Sequence, residues 1–96
     1  MEILVTYDVA TETPEGRRRL RRVAIICQAH GQRVQKSVFE CVVNAEQLEL
    51  LKHRLSRVID EKEDSLRLYR LREPRDRFLH AIGRRPAFDL RDPLVL

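Results

Sequence analysis

Gln32-Arg33-Val34-Gln35-Lys36-Ser37-Val38-Phe39-Glu40-Cys41-Val42-Val43 is strand-forming throughout, and the fold turns on how this stretch is read. It reads as a short hairpin bending near Lys36-Ser37. No Gly or Asn fixes that turn, so the register of the two strands stays open. Upstream, residues 2–9 form a strand of β-branched and aromatic residues, Ile3-Leu4-Val5-Thr6-Tyr7-Asp8-Val9, followed by a polar loop over 10–13. Thr13 is placed to cap a helix whose first turn carries Pro14 and Glu15. That helix is expected to run to about His30, with Gly31 as its stop, and Leu20, Val23, Ala24 and Cys27 form its buried stripe. Downstream, Asn44 and Gln47 stand at capping-box spacing before a second helix with Leu48, Leu51, Leu55 and Val58 on its apolar face. A charged loop over 60–64 follows, in which Glu61, Glu63 and Asp64 read as solvated. A fourth strand covers 65–71, with Leu66 and Leu68 on one face.

The element order is βαββαβ, an α+β, ferredoxin-like plan in which a sheet is backed by two helices. With 96 residues, the chain is expected to be a single domain over 1–96, with a core over 1–72 and a tail over 73–96. The tail holds Pro74, Pro86 and Pro93, yet also Phe88, Leu90, Leu94, Val95 and Leu96. So apolar a segment suits packing better than disorder, and residues 87–90 are expected to add a strand to a sheet edge, a partner's included.

Composition narrows the partners. The net charge of +4 and pI near 9.6 come mainly from Arg, whose forked donors match phosphate. Cys27 and Cys41 each lie in an apolar run and read as buried free thiols of a reducing compartment, not as metal ligands. No leader segment is expected, and no apolar run approaches the roughly 20 residues that span a bilayer. A cytoplasmic location without membrane partners follows.

Asp8 is the lone carboxylate closing an apolar strand. Such a residue is commonly a turn or helix-capping group. Its other reading is a cation ligand, although one carboxylate alone makes a poor Mg²⁺ site. Nine residues on, Arg17, Arg18, Arg19, Arg21 and Arg22 fall within six positions. Charge runs on helices are commonly solvated faces. Here Arg17/Arg21 and Arg18/Arg22 are like charges at four-residue spacing, which repel unless an anion lies between them. Tyr7 and Phe39 read as core or interface residues, and Gln35 and Ser37 as serving backbone geometry or dimer contacts. His30, His53 and His80 are scattered and none adjoins Asp8. No Ser-His-Asp or Cys-His arrangement, phosphate-cradling glycine loop or zinc spacing is present, so covalent catalysis and P-loop hydrolysis are unsupported.

Tyr7-Asp8-Val9, the Arg-rich first helix and Gly31-Gln32-Arg33-Val34-Gln35-Lys36-Ser37-Val38-Phe39-Glu40 together resemble one family, CRISPR-associated protein two, the small subunit of the spacer-acquisition machinery. The resemblance extends over residues 2–71, and more loosely through Ala81-Ile82-Gly83. It implies a homodimer with paired sheets, the C-terminal strand of one protomer adding to the sheet of the other. It also implies a Mg²⁺ site shared by Asp8 of both protomers across the two-fold axis, with Tyr7, Gln35, Ser37 and Phe39 in support. Members are described as metal-dependent endonucleases on RNA or DNA, and as the scaffold of an integrase complex with CRISPR-associated protein one. Arg17, Arg18, Arg21, Arg22 and Arg33 are then the expected nucleic-acid contacts. A non-catalytic dimeric adaptor that holds duplex DNA for the integrase is the alternative. The chain departs from the family after Asp8, where Ala10-Thr11-Glu12-Thr13-Pro14-Glu15 replaces a loop that often holds further aspartates.

Overall fold

Side chains alternate sides along a strand, and this alternation divides β1 (Glu2–Asp8) between two environments. Ile3, Val5 and Tyr7 are buried, whereas Asp8 is exposed. The computed structural model of the chain describes residues 1–84. Its elements run β1, α1 (Pro14–Gln28), β2 (Gly31–Gln35), β3 (Val38–Val42), α2 (Ala45–Val58), β4 (Ser65–Arg70) and one short helical turn, α3 (Arg75–Phe78). The four strands make an antiparallel sheet in the order β2-β3-β1-β4, with β1 central. This is the ferredoxin-like α+β plan expected from the sequence.

Both helices pack on the odd-numbered face of β1. Val23, Ala24 and Cys27 of α1 and Leu51, Leu55 and Val58 of α2 meet Ile3, Val5, Tyr7, Phe39 and Cys41 in one core. Phe39 is fully buried, a burial worth about 1.5–3 kcal/mol for a side chain of its size. Burial also raises both core thiols, Cys27 to about 12 and Cys41 to about 11, so each is a protonated packing group at neutral pH.

Local signals hold at both helix starts. Thr13 Oγ1 accepts the Gly16 amide at 3.0 Å, and Asn44 and Gln47 close a reciprocal capping box at 2.8 Å each. The end of α1 differs from expectation. Ala29 caps it in right-handed conformation, and Gly31 instead opens β2. The reason for glycine there is close approach, because a Cβ on Gly31 would lie 2.1 Å from the Glu40 carbonyl oxygen. The hairpin bends at Lys36-Ser37 as read. Its register pairs Arg33 with Phe39 and Gln35 with Val38, so Val34 is the extra residue of a bulge.

The even-numbered face of the sheet carries Leu4, Val42 and Tyr69, with Val42 and Tyr69 exposed. The segment after β4 returns along it. Arg75 donates its backbone amide to Glu2 at 3.0 Å, pairs with the Glu2 carboxylate through Nη1, and approaches Glu40 at 3.6 Å. Phe78 and Leu79 then line an open cleft of about 260 Å³ with Leu4, Leu71 and Arg72. The strand expected at 87–90 lies outside the described residues.

Replacing Gly31 by Ala forces β2 away from β3. The expected cost is roughly 1–3 kcal/mol, as for an overpacked core. It is read as a lower urea midpoint at unchanged slope.

Candidate metal and nucleic-acid site

Asp8 ends β1 on the face opposite α1 and α2, across from Ser65 of β4. Its carboxylate makes no hydrogen bond or ion pair with any described residue, so its lone pairs are free for a cation. The hairpin turn lies alongside. Tyr7 donates its amide to the Ser37 carbonyl at 3.1 Å, and its hydroxyl makes a long contact of 3.5 Å with the Lys36 carbonyl. Ser37 therefore sits next to the Tyr7-Asp8 step, while Gln35 is exposed at the end of β2.

Tyr7 and Phe39 belong to the opposite face. Their rings stack with centroids 6.3 Å apart, and the Arg33 guanidinium lies 5.2 Å from the Phe39 ring. Burial raises the Tyr7 hydroxyl above its ordinary range, and Arg33 partly offsets the shift. Tyr7 and Phe39 thus support Asp8 only through packing and backbone. Arg33 joins them beneath the sheet and not the exposed arginines of α1.

The five clustered arginines divide into two groups. Arg17, Arg18, Arg21 and Arg22 are exposed on the side of α1 turned away from the core. Arg17 donates to the Thr11 carbonyl at 3.1 Å, and Arg18 lies 3.6 Å from Glu15. Arg21 and Arg22 have no acidic partner among the described residues. Arg19 turns instead to the loop before β4, where its Nε and Nη2 reach Asp64 at 2.8 and 3.2 Å.

That contact corrects the expectation of a solvated Asp64. Its side chain is 0% exposed, and its two oxygens accept from Arg19, from the Ala10 amide at 3.1 Å and from the Asp60 amide at 2.9 Å. Hydrogen bonding to Arg19 holds the Asp64 carboxyl below its ordinary pKa, with the Asp60 and Ala10 amides adding to the effect against burial. Sequence reasoning missed Asp64 because its partner Arg19 lies 45 positions away.

Asp8 and the four exposed arginines are close in sequence but lie on opposite sides of the sheet layer. One protomer presents a carboxylate on one side and a cationic helix on the other. His30 stands at the far end of the sheet, where its carbonyl accepts from Val42, and burial lowers its pKa. Among the described residues no three His, Cys, Asp or Glu side chains gather as a metal cluster. On this face of β1, Glu2 is paired with Arg75, and Asp8 has no side-chain partner among the described residues. Mg²⁺ commonly takes one or two carboxylates, with waters and phosphate oxygens completing the shell. Asp8 fits that donor chemistry as one carboxylate ligand. No helix among the described residues is long and apolar enough to cross a membrane.

The family model described as CRISPR associated protein Cas2 matches residues 1–77. A CRISPR-associated endoribonuclease Cas2 of Moorella thermoacetica is 59% identical over 96 residues, covering 100% of both chains. A CRISPR-associated endonuclease Cas2 of Halalkalibacterium halodurans is 52% identical over 99% of each chain. Among solved structures, Streptococcus pyogenes Cas2 at pH 6.5 is 54% identical with a TM-score of 0.79, covering 86% of this chain and 100% of that one.

The Asp64 contacts carry a pH signature. A carboxyl whose folded pKa is depressed contributes stability that is present above its unfolded value and lost as pH falls through the folded one. With an ordinary value of 3.8, the stability gap between the wild type and Asp64→Asn should stay constant from neutral pH down to about 3.8 and close below it. Urea midpoints across that range measure the gap. A gap that stays level below 3.8 would rule out Asp64 as the titrating group.

Proposed function

The chain belongs to the CRISPR-associated Cas2 family, and we propose that it is a Mg²⁺-dependent endonuclease that cleaves phosphodiester bonds in RNA or DNA during spacer acquisition. The observation that carries this reading is the exposed Asp8 carboxylate, without a partner among the described residues, on the face of the sheet opposite α1 and α2. Full-length relatives bear nuclease names, which favours catalysis over a purely non-catalytic adaptor. The working unit is a homodimer in which the sheet faces opposite α1 and α2 meet and Asp8 of each protomer holds the ion. Exposed Val42 and Tyr69 support that pairing, since apolar side chains on a sheet face gain by burial. Residues 1–96 act as one domain whose tail, 73–96, serves the dimer or a partner. The larger CRISPR integrase, CRISPR-associated protein one, is the partner in a cytoplasmic complex.

Each residue group then has a task. Arg17, Arg18, Arg21 and Arg22 grip backbone phosphates through charge and forked hydrogen bonds, without reading bases. Arg33 steadies the Tyr7–Phe39 pair beneath Asp8, so any contribution it makes to nucleic-acid binding passes through that packing. The Ser37 carbonyl fixes the Tyr7 amide, and with it the exit of β1 at Asp8. Asp8 supplies negative charge and oxygen ligands. Bound Mg²⁺ would supply Lewis-acid stabilisation of charge developing on the scissile phosphate. His30 is separated from Asp8 by the length of β1, about 20 Å at strand rise.

Because Asp8 and the arginines occupy different sides of the sheet, their effects should separate. Asp8→Asn is expected to abolish Mg²⁺-dependent cleavage of single- or double-stranded substrates while leaving salt-sensitive binding unchanged. Cleavage that survives in Asp8→Asn and still stops with chelator would move the active centre elsewhere.

Charge reversal at Arg18 and Arg22 should have the opposite profile, with binding lost and the dimer intact. If the wild-type dimer neutralises roughly 6–10 phosphates, its affinity falls about 10³–10⁵-fold between about 50 and 200 mM salt. A shallow salt slope would remove the α1 arginines from the interface.

A further inference from the structure

We infer that Asp64 is a positioning residue for Asp8, an inference that rests on the metal-site reading above. The Asp8 carboxylate has no partner among the described residues to orient it. Its direction is therefore inherited from the backbone on either side and from the strand opposite. Asp64 reaches both. Its Oδ1 takes the amide of Ala10, two residues after Asp8, and it directly precedes Ser65, the residue paired with Asp8 across β1 and β4.

The same loop is held from its other end. Gly16 packs so tightly on Ala10 that a Cβ would fall 1.9 Å from the Ala10 carbonyl oxygen. Ala10 is thus fixed through its N–H by Asp64 and through its C=O by the first turn of α1. The Asp64 side chain is 0% exposed and holds its orientation through Arg19 and the Asp60 amide. Turning the Asp64 carboxylate away would free the segment after Asp8 and loosen the strand pairing beside it. A cation ligand with no side-chain support loses affinity when its backbone loosens, much as ligands do when their outer hydrogen bonds are removed.

The test compares Asp64→Ala, Arg19→Gln and Asp8→Asn with the wild type, at a temperature where circular dichroism shows each folded. Mg²⁺ binding is measured by calorimetry on the protein without nucleic acid, and the half-activating Mg²⁺ concentration is measured in the cleavage assay. Asp64→Ala should weaken Mg²⁺ binding about tenfold and raise the half-activating concentration to match, with nucleic-acid affinity unchanged. Arg19→Gln removes the ion pair but leaves the Asp60 and Ala10 amides to orient Asp64, so it should melt earlier yet bind Mg²⁺ like the wild type. Should Asp64→Ala fail to fold, Asp64→Asn takes its place. Its single carbonyl oxygen cannot serve the donors that two oxygens now share, so the shift keeps its direction at smaller size.

Unchanged Mg²⁺ affinity on loss of the Asp64 carboxylate would overturn the inference. So would an equal loss in Arg19→Gln, which would make the effect one of general stability. Asp8→Asn separates the two claims. If it binds Mg²⁺ as the wild type does, the site reading fails and the positioning role falls with it. If it loses Mg²⁺ while the Asp64 variants do not, only the positioning role is lost.

Discussion

The period-two alternation of β1 is the constraint on which the other features depend. β1 is central and bonded on both sides, so its register is fixed against β3 and β4 together. Ile3, Val5 and Tyr7 must face the helices to complete the core, and this leaves Glu2, Leu4, Thr6 and Asp8 on the other face. A one-residue slip would bury Asp8 under α1 and turn Ile3, Val5 and Tyr7 toward water. Loss of three large buried apolar groups, at about 1.5–3 kcal/mol each, rivals the whole stability of a domain this size. The exposure of the carboxylate is therefore a by-product of the core, and no local feature at Asp8 has to enforce it.

Arg19 and Asp64 show how one helix can serve structure and binding at once. The arginines of α1 differ by only 100° steps around the axis. One step suffices to turn Arg19 from the outer face to the flank, where it meets a buried carboxylate. An uncompensated carboxylate inside a protein is costly, so Asp64 requires a forked cation and two backbone amides. Its oxygens tie the loop after α2 to the exit of β1 and the first half of α1, 54 and 45 positions away. The remaining arginines of α1 are left exposed, and among the described residues Glu15 near Arg18 and the Thr11 carbonyl at Arg17 offset their repulsion.

Most of the fold was legible in the sequence because its determinants are local. The stripes at Leu20–Cys27 and Leu48–Val58, the caps at Thr13 and Asn44, and the bend at Lys36-Ser37 are all decided within a few residues. What escaped reading was set by contacts distant in sequence. The bulge at Val34 follows from Arg33 and Gln35 having to meet the adjacent residues Phe39 and Val38. Gly31 looked like a helix stop, because a glycine after an apolar stripe usually is one. Its true reason, the Glu40 carbonyl, belongs to a strand nine positions on. Asp8 could be singled out by type and place, but its free state depends on which face of the sheet lacks helices. Arg33 read as one more phosphate contact, since nothing nearby in sequence announces that Phe39 lies under its guanidinium.

The same geometry bears on why the proposed site should be shared between copies. The loop after Asp8 is already committed to structural contacts. Ala10 is bonded to Asp64, Thr11 to Arg17, and Thr13 to the first turn of α1. A second aspartate is absent from that loop, where Glu12 is the acid. Symmetry supplies it without further sequence, provided the faces opposite α1 and α2 meet. Two unpaired carboxylates brought together repel until a cation lies between them. In the proposed dimer, ion binding and close approach of the faces would then favour each other by the same free energy. The cationic helices stay on the outside of such a pair, so phosphate binding need not compete with closure of the centre.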